Sequence, residues 1–157
     1  MPSHRQQHQL DMVRSLYAAV SDPAADLSSY LTEQFVITEA ANLPYAGVYR
    51  GRTALRALVN WIGSRMSVSN VTVERYAVGT DHVIATLRFD VVLSDGSFAT
   101  QYVAEEFLFE NGLIREMRPF YFDSSLIVRA ATSNADAVRQ SALRAMAFRD
   151  GEREVRE

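Results

Sequence analysis

Arg88 and Asp90 are the side chains whose types and spacing are best suited to chemistry. They lie two positions apart in residues 82–93, where apolar and polar side chains alternate. Because successive side chains of a strand point to opposite faces, both charges share one face and an apolar row occupies the other. A desolvated carboxylate beside a guanidinium stays charged and oriented, which suits a catalytic base.

The polar face of this strand either meets water or lines a cavity inside a curved sheet. An exposed ion pair would stabilise the protein little. The opposite face is so apolar that we expect it to pack against another surface. We therefore predict that Arg88 and Asp90 line a pocket.

Three other carboxylates stand on predicted strands. Glu39 ends the segment FVITE, just before a loop rich in helix and strand breakers. Glu105 and Glu106 are adjacent on a later strand, so they point to opposite faces and at most one of them can face an interior.

Composition narrows the classes of partner and chemistry. The 157 residues carry a formal net charge of -3, so there is no basic excess to neutralise phosphates and we expect no nucleic acid partner. Cysteine is absent, which excludes disulfides and thiolate chemistry. No apolar run approaches the roughly 20 residues needed to span a bilayer, and residues 1–9 lack the apolar core of a signal peptide. We expect a cytoplasmic protein that does not bind membranes.

No His, Asp or Glu cluster has the spacing of metal ligands, and no glycine-rich phosphate loop is present. The sequence therefore predicts neither a metal nor an organic cofactor. His4 and His8 fall in a polar segment that we expect to be a loose tail, and they receive no role.

The first half of the chain is predicted to be mainly helical. Helical spacing of apolar residues predicts helices over residues 9–20 and 52–66, with a short helix near residues 27–31 between them. A strand is expected over residues 34–39, followed by a loop over residues 42–51.

The second half is predicted to be an antiparallel meander. Strand-like runs cover residues 68–78, 82–93, 98–109 and 113–122. The turns between them include Asp95-Gly96 and Asn111-Gly112, which are strong hairpin signals because tight primed turns need positive φ. A helix follows over residues 134–149, and residues 150–157 are expected to fray.

Helices followed by a long meander indicate an α+β fold. We expect a cone-shaped curved antiparallel sheet wrapped around the N-terminal helices, with an internal pocket and an extra C-terminal helix.

Two local motifs and this order of elements resemble the SnoaL-like and ketosteroid-isomerase-like branch of the nuclear-transport-factor-two-like superfamily. The first motif, EAANLPYAGVYRG over residues 39–51, is similar to the loop that closes the mouth of the cone in SnoaL-like proteins. The second, FLFENGLIREMRPFYFD over residues 107–123, is similar to the last hairpin of the family. The superfamily includes isomerases, polyketide cyclases, epoxide hydrolases and dehydratases, so the fold alone does not settle the function.

The resemblance covers residues 10–123 and implies a domain plan. We expect a disordered tail at residues 1–8, a SnoaL-like cone domain over residues 9–125 and a C-terminal helical extension over residues 126–157.

The resemblance also implies roles for particular residues. Ketosteroid-isomerase-like members carry an Asp near the position of Glu39, where it moves a proton between substrate carbons, and Glu can do the same if desolvation raises its pKa. Their helical Tyr falls at Leu16, with Tyr17 one residue away. Their late acid, part of an oxyanion hole, falls at Glu105 or Glu106.

Counting register from a two-residue Asn111-Gly112 turn favours one of these two acids. The count pairs Glu106 with Met117, which the family resemblance places toward the cavity. It therefore predicts Glu106 inside and Glu105 outside. Whether Arg88 shares that face depends on a bulge in the preceding hairpin.

The remaining pocket walls are predicted to be aromatic or apolar, although such side chains are more often core than ligand contacts. The expected substrate-binding set is Tyr17, Tyr45, Trp61, Tyr102, Glu106, Met117 and Tyr121.

Three functions follow as hypotheses. The first is cofactor-independent proton transfer, of isomerase or cyclase type, on a hydrophobic small molecule. Asp90 or Glu39 would be the base, Arg88 would orient a carboxylate or stabilise an oxyanion, and Tyr17 or Glu106 would donate a hydrogen bond. The second is a non-catalytic module that binds a small ligand. The third is an epoxide-hydrolase-like enzyme with an incomplete Asp-Arg-Asp set, since Pro119, or Phe120 if the alignment shifts by one residue, stands where the second Asp belongs.

A homodimer is also expected. Leu87, Phe89, Phe107 and Phe120 are predicted to form an apolar outer face of the sheet, which would need cover.

Overall fold

The computed structural model of the protein describes residues 1–132 and 153–154. Its elements, in chain order, are α1 (His4–Val20), a single 3₁₀ turn (Ser28–Tyr30), β1 (Leu31–Glu39), β2 (Gly47–Arg50), α2 (Ala54–Gly63), β3 (Val68–Val78), β4 (His82–Val92), β5 (Phe98–Glu110), β6 (Leu113–Tyr121), α3 (Ser124–Thr132) and β7 (Arg153–Glu154). The helix predicted over residues 134–149 lies outside the described residues.

The strands form one sheet in the order β3-β4-β5-β6-β1-β2-β7. The meander from β3 to β6 is antiparallel, as predicted. The sequence did not predict that β1 would pair in parallel with β6. This pairing carries the N-terminal strand into the sheet beside the last hairpin. The predicted α+β fold, a curved sheet with helices, is confirmed.

The apolar row of β4 faces the helices and forms part of the core. The buried residues of this row are Val83, Ala85, Leu87 and Val91. All but Leu87 belong with Phe107 to one hydrophobic cluster, against which the partly buried Phe89 packs. The prediction that Leu87, Phe89 and Phe107 lie on the outer face is therefore wrong. Of the four residues proposed for that face, Phe120 is the exposed one.

Helix α1 begins five residues earlier than predicted. Ser3 and Gln6 form a capping box, in which the Ser3 hydroxyl accepts from the Gln6 backbone N–H at 3.2 Å and the Gln6 side chain accepts from the Ser3 N–H at 2.8 Å. This reciprocal pair satisfies backbone donors that a helix start leaves free. Residues 4–8 are therefore helical and do not belong to a disordered tail.

The other end of α1 is held by a cation from α2. Helix α1 has no basic residue in its last turn. The Arg56 guanidinium instead donates to the carbonyls of Ala19, Asp22 and Ala25 at 2.9–3.1 Å. A cation at this end complements the helix dipole and satisfies carbonyls that have no partner within the helix.

The hairpin between β5 and β6 contains a bulge that the register count missed. The Asn111-Gly112 turn has the expected positive φ values, 51° and 82°. Phe109 pairs with Ile114, but Leu108 then pairs with Glu116, which leaves Arg115 as an extra residue. Every later pair on β6 is displaced by one residue from the count.

The displaced register reverses the positions of the two adjacent acids. Glu105 lies opposite Pro119 and Glu106 lies opposite Arg118. The preceding hairpin is also longer than two residues, so Arg88 lies opposite Tyr102. Arg88 and Glu106 do share one face of the sheet, but it is the outer face.

Helix α3, which follows β6, adds its buried side chains to the core. Ile127, Ala130 and Ala131 are buried in the same hydrophobic cluster as the sheet. The helix spans the domain boundary expected between residues 125 and 126. None of the helices in the part of the chain that the structure describes has the length and apolar character of a membrane span.

Candidate functional site

Glu105 and Tyr17 meet on the inner side of the sheet. Glu105 occupies the row of β5 that also holds the buried Val103 and Phe107. The Tyr17 hydroxyl, from α1, donates to Glu105 Oε2 at 2.5 Å. The edge of the Tyr17 ring packs against Phe107, with 5.8 Å between ring centroids. Tyr17 thus reaches the interior, although the helical position implied by the family resemblance was Leu16.

Glu39 is the second inner carboxyl. It is the last residue of β1 and only 4% of its surface is exposed. Its Oε2 has no hydrogen-bond partner. Buried carboxylates are usually paired, so an oxygen of this kind marks a candidate for function.

Two tyrosines form a hydrogen-bonded chain that ends at Glu39. The Tyr45 hydroxyl donates to the Tyr121 hydroxyl at 2.9 Å, and Tyr121 donates to the Glu39 carboxylate. Tyr45 is itself fixed through its backbone carbonyl, which accepts from the Tyr49 hydroxyl at 2.7 Å. The loop after β1 and the end of β6 are thereby joined at the acid.

The two acids lie in one row across three neighbouring strands. Pairing between β1 and β6 reaches Ile37 and Met117. Continuing this register by two residues sets Glu39 level with Pro119, and Pro119 pairs with Glu105. Two strand spacings separate the backbones of the two acids by about 10 Å, and the charge of Glu105 acts on Glu39 across that distance.

Desolvation dominates the electrostatics of the two acids. Burial, together with the charge of Glu105, raises the pKa of Glu39 from its ordinary value of 4.5 to about 8. Partial burial raises the pKa of Glu105 to about 7, although the hydrogen bond from Tyr17 opposes that rise. Between about pH 7 and pH 8 the two carboxyls therefore share roughly one proton, which suits acid–base work near neutrality.

The tyrosines of the site remain protonated hydrogen-bond donors. Burial raises the pKa of Tyr17, Tyr45 and Tyr121 well above the ordinary value of 10.0, and the nearby acids raise each further. Near neutral pH none of the three tyrosines is ionised, so none of them can act as a base.

Trp61 and Met117 complete the inner wall. Both are at least 90% buried. The Trp61 ring packs edge-on against Tyr45 at 5.6 Å between centroids, and the Arg65 guanidinium lies over the Trp61 ring at 3.7 Å from its centroid. These contacts position Tyr45 from the α2 side.

Arg88 and Asp90 lie on the outer surface, so the prediction that they line a pocket is wrong. The Arg88 Nε lies 3.4 Å from Glu74 Oε1, and both side chains are more than a third exposed. Asp90 accepts hydrogen bonds from Asn70 at 2.8 Å and from Thr100 at 2.7 Å, which lower its pKa. The apolar row opposite them packs on the helices, so the polar row must face solvent.

Tyr102 and Glu106 were also predicted to contact substrate, and they too lie on the outer face. Tyr102 is 46% exposed and packs edge-on against Phe122. Glu106 pairs across the strands with Arg118. The structure therefore brings together Glu39, Tyr17, Tyr45, Trp61, Met117 and Tyr121 from the predicted set, and adds Glu105.

Glu105 was missed because the register count left out the Arg115 bulge and therefore set Glu106, instead of Phe107, opposite Met117. One signal was available in the sequence: Glu105 is in phase with the apolar residues Val103, Phe107 and Phe109. In the part of the chain that the structure describes, no group of three or more His, Asp or Glu side chains is placed to hold a metal ion.

Comparison with known proteins supports this fold. The family model of the SnoaL-like domain matches residues 13–117. No curated protein matches the sequence.

Solved structures of similar proteins cover most of the chain. An NTF2-like protein from Burkholderia xenovorans LB400 is 18% identical, with a TM-score of 0.69 over 80% of this chain and 97% of its own. A protein assigned to the SnoaL-like polyketide cyclases, from Mesorhizobium loti, is 26% identical, with a TM-score of 0.60 over 73% of this chain and 97% of its own. TerC, co-crystallised with polyporic acid, is 12% identical, with a TM-score of 0.67 over 80% of this chain and 98% of its own.

Proposed function

The chain belongs to the SnoaL-like domain family, and from this premise we propose that it catalyses cofactor-independent proton transfer on a cyclic, apolar carbonyl compound. One observation carries the proposal. Glu39 and Glu105 stand on the inner face of one sheet, each desolvated enough to hold its proton near neutral pH. Such a pair can remove a proton at one point of a substrate and stabilise charge at another.

Glu39 is assigned as the base because its Oε2 is free of partners. It takes a proton from the carbon next to a carbonyl group, and the electron pair of the broken C–H bond moves to the carbonyl oxygen. Protonated Glu105 and Tyr17 donate hydrogen bonds to that oxygen. Return of the proton from Glu39 to another carbon completes an isomerisation or a ring-closing step, with no net change in the enzyme.

The protonation states make the reactive form a minor one. Glu105 loses its proton at a lower pH than Glu39, about 7 against about 8. The form with Glu39 ionised and Glu105 protonated is then about one tenth of the singly protonated pair. A substrate oxygen that accepts from Glu105 favours this form, because the hydrogen bond stabilises the protonated acid.

Exchange of carbon-bound hydrogen tests the proposal. Cyclic ketones are incubated with the protein in deuterated buffer, and deuterium at the carbon next to the carbonyl is measured by NMR. We expect Glu39→Gln and Glu105→Gln each to slow the exchange by about a hundredfold, the scale of general acid–base catalysis. Glu106→Gln is the matched control, because that neighbour lies on the outer face. If wild-type protein promotes exchange and both inner variants keep the full rate, the assignment is wrong.

A non-catalytic binding module is the second candidate function. Tyr45, Trp61 and Phe107 belong to one continuous hydrophobic cluster, which suits retention of an apolar molecule. TerC, which shares the fold, was crystallised with polyporic acid. In this case Trp61→Ala would weaken ligand binding, whereas Glu39→Gln and Glu105→Gln would leave it nearly unchanged.

We also propose that the protein forms a homodimer through the outer face of β5 and β6. Tyr102, Phe120 and Phe122 are exposed there by 46%, 54% and 86%. Large aromatic side chains grouped on one exposed face are typical of interaction surfaces. A second copy of the chain would cover them symmetrically.

A further inference from the structure

Glu39 stands at a point where the backbone ladder holds it from one side. On the β2 side its backbone pairs with Gly47. On the β6 side the ladder ends at Ile37 and Met117, two residues before the acid. A glutamate side chain has several rotatable bonds, so the backbone alone does not fix the direction of its carboxyl group. That direction depends on the side chains that reach the acid from β6 and from the loop after β1.

Tyr121 is the side chain of β6 that bonds this acid. It follows the buried Met117 and Pro119 at intervals of two, so it continues the row of β6 that faces the helices. Its hydroxyl donates to the Glu39 carboxylate. A hydrogen bond of this kind is strongest to the ionised acid, and it fixes the plane of the carboxylate as well as its charge.

Tyr45 holds the ring and the hydroxyl of Tyr121 in place. The Tyr45 hydroxyl donates to the Tyr121 hydroxyl at 2.9 Å, and the two rings pack edge to face with 6.4 Å between their centroids. Because the Tyr121 oxygen accepts this proton, its own proton is directed away from Tyr45 and toward Glu39. Successive hydrogen bonds polarise one another, so the bond from Tyr45 makes Tyr121 a better donor.

Tyr45 is in turn fixed from two other elements. The Trp61 ring of α2 packs edge-on against it at 5.6 Å between centroids. The Tyr49 hydroxyl of β2 donates to its backbone carbonyl at 2.7 Å. Only 1% of the Tyr45 surface is exposed. The hydroxyl protons of Tyr45 and Tyr121 are both used within the chain of bonds that ends at the acid.

We propose that Tyr121 is a positioning residue that holds Glu39 in the orientation and the ionised form in which it accepts a proton, and that Tyr45 acts on the acid through Tyr121. The inference rests on the proposed function for the identity of Glu39 as the base. Burial and the charge of Glu105 raise the pKa of Glu39, and the hydrogen bond from Tyr121 opposes both effects. Tyr121 therefore favours the form of the acid that the reaction needs.

Titration of Glu39, followed by carbon NMR of labelled glutamate, tests this role without requiring any activity. Tyr121→Phe removes only the hydroxyl and should raise the titration midpoint of Glu39 by about one pH unit, the scale of one hydrogen bond to a charged group. Tyr45→Phe should raise the midpoint by less. Tyr30→Phe is the matched control, because Tyr30 packs against the same core but lies outside this chain of bonds, and it should leave the midpoint unchanged.

The pH profile of deuterium exchange is the second readout. The reactive form has Glu39 ionised and Glu105 protonated, so the rate falls above the pH at which the pair of acids loses its last proton. Tyr121→Phe should lower the maximum rate about tenfold and move this alkaline limb to higher pH, because both effects follow from a more basic Glu39. A variant that merely loosened the fold would lower the rate and leave the limb in place.

Two results would overturn the proposal. One is a Glu39 midpoint that is the same in Tyr121→Phe and in the wild type. The other is a slower exchange by Tyr121→Phe with an unmoved alkaline limb, which would show a structural role alone. Failure of the proposed function gives a different pattern: if Tyr121→Phe raises the midpoint but wild-type protein promotes no exchange, Tyr121 does position Glu39, and Glu39 is not the base of this reaction.

Discussion

Glu39 is the residue at which stability and function oppose each other. Its carboxyl is nearly fully buried, and Glu105, a group of the same charge, raises its pKa further. The shift of its pKa from 4.5 to about 8 corresponds to a loss of on the order of 5 kcal/mol of stability when the group must ionise in place. A buried acid of this kind lowers the stability of the fold, and such destabilising residues are common at functional sites.

Glu39→Gln is predicted to change the pH dependence of stability. The folded acid holds its proton up to about pH 8, whereas the unfolded chain loses it near 4.5, so the folded state binds more protons between these values. The free energy of unfolding of the wild type therefore falls as pH rises through this range. The variant should be nearly equal to the wild type at pH 5 and more stable by several kcal/mol at pH 9, as measured by urea denaturation.

Glu110→Gln is the control for this comparison, because Glu110 is exposed at the end of β5. It should change stability little at either pH. A Glu39→Gln variant that gains nothing at pH 9 would show that the acid is not desolvated.

Tyr17→Phe is predicted to raise the pKa of Glu105 above about 7. The Tyr17 hydroxyl bonds Glu105 at 2.5 Å and holds that pKa down against the effect of burial. Loss of the donor removes a bond that favours the ionised form. Carbon NMR of labelled glutamate measures the change, and Tyr102→Phe on the outer face is the control. A lowered or unchanged pKa in Tyr17→Phe would contradict the contact.

At this scale, residue type and the family resemblance together pointed to part of the candidate site. Glu39 was recognisable as an acid at the end of a strand beside a loop, and Tyr17 as a tyrosine near the family position. The prediction that Arg88 and Asp90 line a pocket failed because alternation shows that two charges share one face of a strand, but not which face is covered by other elements. That choice is made by the helices, which pack on the apolar row of β4.

At the scale of elements, the bulge at Arg115 decides which residues of β6 lie opposite the two acids of β5. Without it, Glu106 would pair with Met117. With it, Glu105 lies opposite Pro119 and Glu106 lies opposite Arg118. Glu105 faces the interior because it is in phase with the buried Val103 and Phe107 on its own strand.

Engineered disulfides test this register directly, because the chain contains no cysteine of its own. The double variant Glu106→Cys/Arg118→Cys should oxidise to an intramolecular disulfide, since directly opposed residues place their Cβ atoms about 5 Å apart. The double variant Glu106→Cys/Met117→Cys places its thiols on opposite faces and should stay reduced. Thiol counting and peptide mapping give the answer. Preferential cross-linking of the second pair would restore the unbulged register.

The hairpins themselves could be predicted, because Asn111-Gly112 is a local signal with a local consequence. The bulge could not, because Arg115 is an ordinary strand residue whose displacement results from pairing on both sides of β6. The parallel pairing of β1 with β6 was missed for the same reason: it joins segments about 80 residues apart and leaves no local mark.

At the scale of the whole molecule, one sheet serves two purposes. Its inner face holds the two acids and Tyr121 beside core side chains, and its outer face exposes aromatic residues. The alternation of a strand allows both, because neighbouring residues belong to different surfaces.

Phe120→Asp is predicted to dissociate the proposed dimer without unfolding the protein. Phe120 is 54% exposed, so a charge there is tolerated by the folded chain but not by an apolar interface. Analytical ultracentrifugation should show a dimer for the wild type at micromolar concentration and a monomer for the variant. Arg115→Asp, at another exposed position of β6, is the control. A wild-type monomer at that concentration would refute the dimer.

The pH titration of Glu39 and Glu105 in the wild-type protein tests the central claim most directly. With carbon-labelled glutamate, and with Glu39→Gln and Glu105→Gln used to assign the signals, two carboxyl resonances should titrate near pH 8 and pH 7. Because the two acids interact, these two pKa values describe the pair of acids and not each residue separately. If both signals titrate near the ordinary 4.5, the two acids are solvated, no proton is shared at neutral pH, and the proposed chemistry is contradicted.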